Sequence, residues 1–391
     1  MKSTIVALFL STLCVTTAAY GNPKAGFMTT EGVTVLAGDD PVRVTVWYPT
    51  SNKKKEPSEY VVDQGTPGEL RYPASATRDA PIKGGTFPMI VFNSSGGQGD
   101  THRIFNFPTA ELLAADGYIV VNAERNNQAF EAQGLHQSGL IDYMLWYHPL
   151  RDSIDADKIG LRALSFGGLG AGSVAGGDVY GNLPDPRVRG VIIDEGFGVC
   201  DPDLGTTCET VSIPVLLRDG SSLGAVPPFP DLIGDMSREF ALLENAFPRF
   251  LINLRNPDHS EFNTWSCPFT EALRLASLAY QEDVLGGIVE PEPRNLSYFQ
   301  VSQSNGDGAG TAASGFWNLA GYGDWCQPQF GGPLTPGVGT IMDSATMLEA
   351  MYVLDRAFWE TVFGNGKPKK TKLEKAAETL DSVVSIISVK E

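Results

Sequence analysis

Two alternating runs, Val33-Thr34-Val35-Leu36 and Val42-Arg43-Val44-Thr45-Val46-Trp47-Tyr48, flank Gly38-Asp39-Asp40-Pro41 and predict a β-hairpin near the start of the fold. The pattern then changes to short apolar, β-branched runs at 88–92, 118–122, 158–164, 188–194, 214–217 and 249–254. Helical spacing lies between most of them, near 107–116, 137–149, 167–176 and 236–246. Strands alternating with helices predict a mainly parallel sheet covered on both faces, and ligand sites in such sheets lie at the carboxyl ends of the strands. Residues 51–86 and 297–342 are rich in Gly, Pro, Ser, Asn and Asp and are expected to be surface insertions, the second roofing a site.

One strand end carries candidate chemistry. Asp157 to Leu164 reads as a buried strand, and Ser165-Phe166-Gly167-Gly168 follows it into a small-residue helix start. A serine hydroxyl is a weak nucleophile, so it must stand at a sharp strand-to-helix turn where a base can reach it. Such a turn needs small residues two before and two after the serine; here they are Ala163 and Gly167, giving A-x-S-x-G. The competing reading is a small residue in a glycine-rich turn.

An imidazole must take the serine's proton, and a carboxylate must orient that imidazole. The histidines are His102, His136, His148 and His259, and only His259 follows the serine, in the turn-rich segment Arg255 to Phe262 directly after a predicted strand. His102 adjoins the glycine-rich segment after Phe92 and is a candidate substrate contact, whereas His136 and His148 read as structural or surface residues. Asp194 and Asp219 each end a strand run and are both candidates for the acid; Asp258, next to the histidine in sequence, points away from its neighbour. The oxyanion hole needs one N–H from the residue after the nucleophile, Phe166, and one from the loop after an earlier strand. In Asn93-Ser94-Ser95-Gly96-Gly97-Gln98-Gly99 that donor is Gly96 or Ser95. A phosphate loop is the rival for this segment, but no Gly-Lys-Ser/Thr follows.

Composition narrows the setting. Met1-Lys2, the apolar run 5–15 and the small residues up to Ala19 predict a secretory signal over 1–19, too short to span a membrane. A secreted or periplasmic location follows, with an α/β domain over 20–365 and a C-terminal tail over 366–391. In that tail, Leu373, Ala376, Ala377, Leu380, Val383, Val384 and Ile387 have helical spacing. Loss of Cys14 with the signal leaves Cys200, Cys208, Cys267 and Cys326, which predicts two disulfides in an oxidising compartment. Cys200–Cys208 with Cys267–Cys326 is the natural pairing, and other pairings stay open. No CxxC pair or histidine cluster points to zinc, so no metal and no cofactor are expected. Forty-six acidic against 29 basic residues give a net charge of −17, which argues against nucleic acid and anionic membranes as partners.

The residues from about 30 to 285 resemble the secreted α/β-hydrolases of the platelet-activating-factor acetylhydrolase and dienelactone-hydrolase-like group. Val44 to Thr50 is similar to their leading strand, Val91 to Gly99 to their oxyanion loop, Leu164-Ser165-Phe166-Gly167-Gly168 to their elbow and Asp258-His259 to their histidine loop. Ala163 and Ser94 depart from the glycine and histidine usual at those places. In the acetylhydrolases the acid follows the strand after the elbow helix, as Asp194 does here. In the polyester and dienelactone hydrolases it follows the next strand, a few residues beyond Asp219, where this chain has Leu223. The resemblance therefore implies an α/β-hydrolase fold and a serine carboxylic ester hydrolase acting on a small-molecule or lipid-like ester. Ser165, His259 and Asp194 would form its triad, with Phe166 and Gly96 as oxyanion donors. A peptidase on the same fold and a catalytically silent binding protein are the alternatives.

Overall fold

The computed structural model describes residues 24–52, 58–62, 64, 70–93, 103–104, 106–124, 132–164, 167–178, 181–194, 208–220, 236–254, 344–364, 371–380 and 384–390. The described residues open with a hairpin whose first strand lies upstream of the run Val33 to Leu36 expected to form it: β1 (Ala25–Val33) pairs antiparallel with β2 (Val42–Pro49). β6 (Phe87–Asn93), β7 (Ile119–Ala123), β8 (Ile154–Leu164), β9 (Val188–Asp194), β10 (Val215–Gly220) and β11 (Arg249–Leu254) then form a parallel block. With β5 (Thr77–Arg78) and β12 (Val384–Lys390) at its edges, the sheet runs β12-β11-β10-β9-β8-β6-β7-β2-β1-β5. The six parallel strands are mostly apolar on both faces because helices cover both.

One face packs under α2 (Gln133–Trp146), α3 (Gly167–Gly176) and α4 (Met236–Leu242), where Leu140, Met144, Val174 and Phe240 meet Val91, Leu161, Ile193 and Leu217. The other packs under α1 (Phe107–Ala115), α5 (Ser344–Phe363) and α6 (Thr371–Glu378). In α5, Met347, Met351, Leu354 and Phe358 recur at helical spacing and cover Ile192, Leu216 and Phe250 of the sheet. No helix among the described residues is long and apolar enough to cross a membrane.

Two expectations need correction. The helical spacing of the C-terminal tail ends with α6 at Glu378, and Val384–Lys390 instead pairs antiparallel with β11, Ile387 opposite Ile252. The run Val384-Ser385-Ile386-Ile387-Ser388-Val389 is dominated by β-branched residues, which suit a half-buried sheet edge better than a helix. Within 51–86, β3 (Ser58–Val62) and β4 (Leu70–Ala74) make a separate hairpin that is not purely surface. Tyr60 is buried, accepting from Trp47 Nε1 at 2.7 Å and donating to Glu111 of α1 at 2.6 Å. The segment expected to roof the site, 297–342, lies outside the described residues.

Candidate active site

The chain runs from β6 outward to β7 and then returns to place β8 on the other side of β6. This reversal is the switch point at which open α/β sheets bind ligands, beyond the carboxyl ends of the strands. Asn93 ends β6 and stands in register with Ala163 of β8, while Leu164, the last residue of β8, is in register with Asp194, the last of β9. Two residues, Ser165 and Phe166, separate Leu164 from the start of α3 at Gly167; both lie outside the described residues.

The junction between strand and helix is tight. A β-carbon on Gly167 would stand 2.4 Å from the carbonyl oxygen of Asn93, and one on Gly170 would stand 2.6 Å from Gln137 Nε2. Asn93 Nδ2 in turn donates to the Gly167 carbonyl at 3.3 Å. The glycine two residues after Ser165 is therefore required by contact with the neighbouring strand end, as a strand-turn-helix elbow demands.

Asp194 is held by side chains from two adjoining strands. Arg162 Nε of β8 donates to its Oδ2 at 3.0 Å; Arg218 of β10 donates from Nε to Oδ1 at 2.6 Å and from Nη2 to Oδ2 at 3.0 Å. Asp355 of α5 completes the group, with Arg218 Nη1 2.6 Å from its Oδ1 and Arg162 Nη1 3.3 Å from its Oδ2. All four side chains are at most 2% exposed. Alternation along the strands explains the meeting: residues 162, 194 and 218 point to the face that α5 covers. Burial pushes the Asp355 carboxyl up, opposed by Arg162 and Arg218. Burial also pulls Arg218 down, but Asp194 and Asp355 outweigh it and raise its pKa. Four charges taken from water cost several kcal/mol each, offset only while every charge keeps its partner.

Asp219, the rival for the acid, is buried on β10 in register with Asn253 of β11. Gly96, Ser95, His102, Asp258 and His259 lie outside the described residues. His136 and His148 are buried in or beside α2 rather than on the surface. His148 Nδ1 accepts from the Leu150 N–H at 3.2 Å, and burial lowers its pKa to about 4. Arg162, Arg218 and Asp355 escaped the reading of the sequence. Their signal was a charged residue interrupting an apolar run, in Ile159 to Leu164 and again in Val215 to Gly220. Among the described residues, no group of three or more His, Cys, Asp or Glu side chains is placed to hold a metal ion.

A ferulic acid esterase from Streptomyces cinnamoneus aligns with the chain at a TM-score of 0.52 and 16% identity, covering 94% of this chain and 97% of that one. The fold is that of the α/β-hydrolases. No family model matches the sequence, and no curated protein does. In this sheet β8 ends immediately before Ser165, β9 ends at Asp194, β10 carries Asp219 as its penultimate residue, and β11 ends shortly before His259 in sequence.

Proposed function

We propose that the chain is a serine carboxylic ester hydrolase. Ser165 Oγ attacks the ester carbonyl, and His259 takes its proton and delivers it to the leaving alcohol. Asp194 orients that imidazole, while the N–H groups of Phe166 and Gly96 receive the oxyanion. Water then repeats the sequence on the acyl-enzyme. The observation that carries this reading is the contact of Gly167 with the Asn93 carbonyl, because it crowds a helix start against a strand end directly after Ser165, at the switch point of the sheet. Asp194 adds support, lying beside Leu164 in the register of β8 and β9.

The substrate is a small-molecule ester, and feruloyl esters belong in the first panel because the similar solved structure is a ferulic acid esterase. Export is part of the same proposal, resting on the charged, apolar and small-residue order of residues 1–19. The even count of Cys200, Cys208, Cys267 and Cys326 left after loss of the signal supports an oxidising compartment. Hydrolysis of nitrophenyl acetate and methyl ferulate by the purified chain and its Ser165→Ala variant tests the reading. Turnover by the parent and none by the variant is expected; equal turnover would refute it.

A further inference from the structure

We infer that Arg162, Arg218 and Asp355 are positioning residues that hold Asp194 as the triad carboxylate in a charge-balanced cradle. This rests on the reading of Ser165 and His259 given above. Three guanidinium N–H bonds fix both oxygens of Asp194. An ionised carboxylate has about four acceptor directions, so roughly one is left, and its direction is set by the other three. A carboxylate so held cannot turn when the imidazole it orients moves or changes charge.

Orientation alone would come at a chemical cost. Two arginines against one aspartate leave an extra positive charge beside the place where an imidazolium must form, which weakens the help the carboxylate can give. Asp355 removes that excess. It reaches down from α5 to both guanidinium groups, so the cradle carries two charges of each sign. A tie between sheet and helix would not need this arrangement, since apolar side chains of similar volume join buried elements as well or better. The cradle also stands at the last residue of β9, level with the last residue of β8, instead of lower in the apolar block.

The test compares Asp355→Asn, Arg162→Gln and the double variant, each assayed for kcat and KM per active site, with sites counted by completed fluorophosphonate labelling. Each single variant unbalances the cradle; the double variant restores neutrality with one pair removed. Each single change should lower kcat per labelled site by about 10- to 100-fold with KM little changed, the scale of a catalytic group slightly misplaced. The double variant should regain what Asp355→Asn loses through excess positive charge and keep only the loss from the missing Arg162 bond to Asp194, so it should be no worse than the poorer single variant. If Asp355→Asn does not fold, Arg162→Gln against the parent, with kcat and KM read per labelled site, still tests whether the Arg162 bond positions Asp194. Loss confined to melting temperature or to the number of labelled sites, with kcat per site unchanged, would reduce the cradle to a structural tie. A double variant worse than both singles would refute charge balance. A parent chain that neither labels nor hydrolyses esters would instead overturn the reading of Ser165, and this inference with it.

Discussion

Gly167 lies so close to Asn93 that a β-carbon on it would meet the Asn93 carbonyl oxygen at 2.4 Å. Backbone stands on the other side of the contact, so no side chain can yield. Gly167→Ala should therefore destabilise the fold by about 1–3 kcal/mol, the cost of overpacking a tight site, and should also displace the start of α3 from β6. Denaturant unfolding checks the first effect and ester turnover the second. A variant with parental stability and activity would show that the elbow has slack.

The choice of acid is open to direct comparison. Neutralising a triad acid lowers kcat by about 10⁴, so Asp194→Asn should fall that far per folded site while Asp219→Asn falls much less. Asp194→Asn also leaves Arg162 and Arg218 short of a partner, and removing one member of a buried ion pair costs about 3–5 kcal/mol. Kinetics must therefore be paired with a count of folded sites. The reverse ranking would move the acid to β10.

His148 gives the fold a pH dependence of known sign. Its folded pKa, lowered to about 4 by burial, is below the ordinary value of 6.5. The unfolded chain therefore binds the extra proton first, so stability present above pH 6.5 is lost as pH falls towards 4. At pH 5 the loss from this residue is about 2 kcal/mol. His148→Gln should flatten the stability profile between pH 7 and pH 5; an unchanged slope would contradict the assignment.

The cysteines test the compartment. After loss of the signal, the mature chain should carry two disulfides, with Cys208 in one of them, and no free thiol. Thiol titration of the denatured, unreduced protein should find none, and four free thiols would contradict export to an oxidising compartment.

Much of the sheet was legible because its strands are buried on both faces. β9, β11 and α3 occupy the spans expected from the runs 188–194, 249–254 and 167–176. What the sequence hid was long-range. α5 follows a long Gly- and Pro-rich tract, and its apolar stripe at Met347, Met351, Leu354 and Phe358 passed unread. With it went Asp355, whose partners lie on β8 and β10, far away in sequence. β12 reads as helix in the sequence because Val383, Val384 and Ile387 continue the spacing of Leu373, Ala377 and Leu380, and only pairing with β11 decides between the periods. For the candidate site, the strands that lead to Ser165, Asp194, Asp219 and the His259 segment were legible; the two arginines on Asp194 were not, since a charge in an apolar run does not reveal its counterion.

Covalent mapping decides whether Ser165 is the nucleophile. A fluorophosphonate phosphonylates a serine oxygen only when a base activates it, so the triad should give one adduct per chain. Peptide mass spectrometry of the labelled protein should place that adduct on Ser165. Labelling should vanish in Ser165→Ala and in His259→Ala, with folding intact in both. An adduct on another residue, or stoichiometric labelling that survives in Ser165→Ala, would show that Ser165 is only a small residue between a strand and a helix.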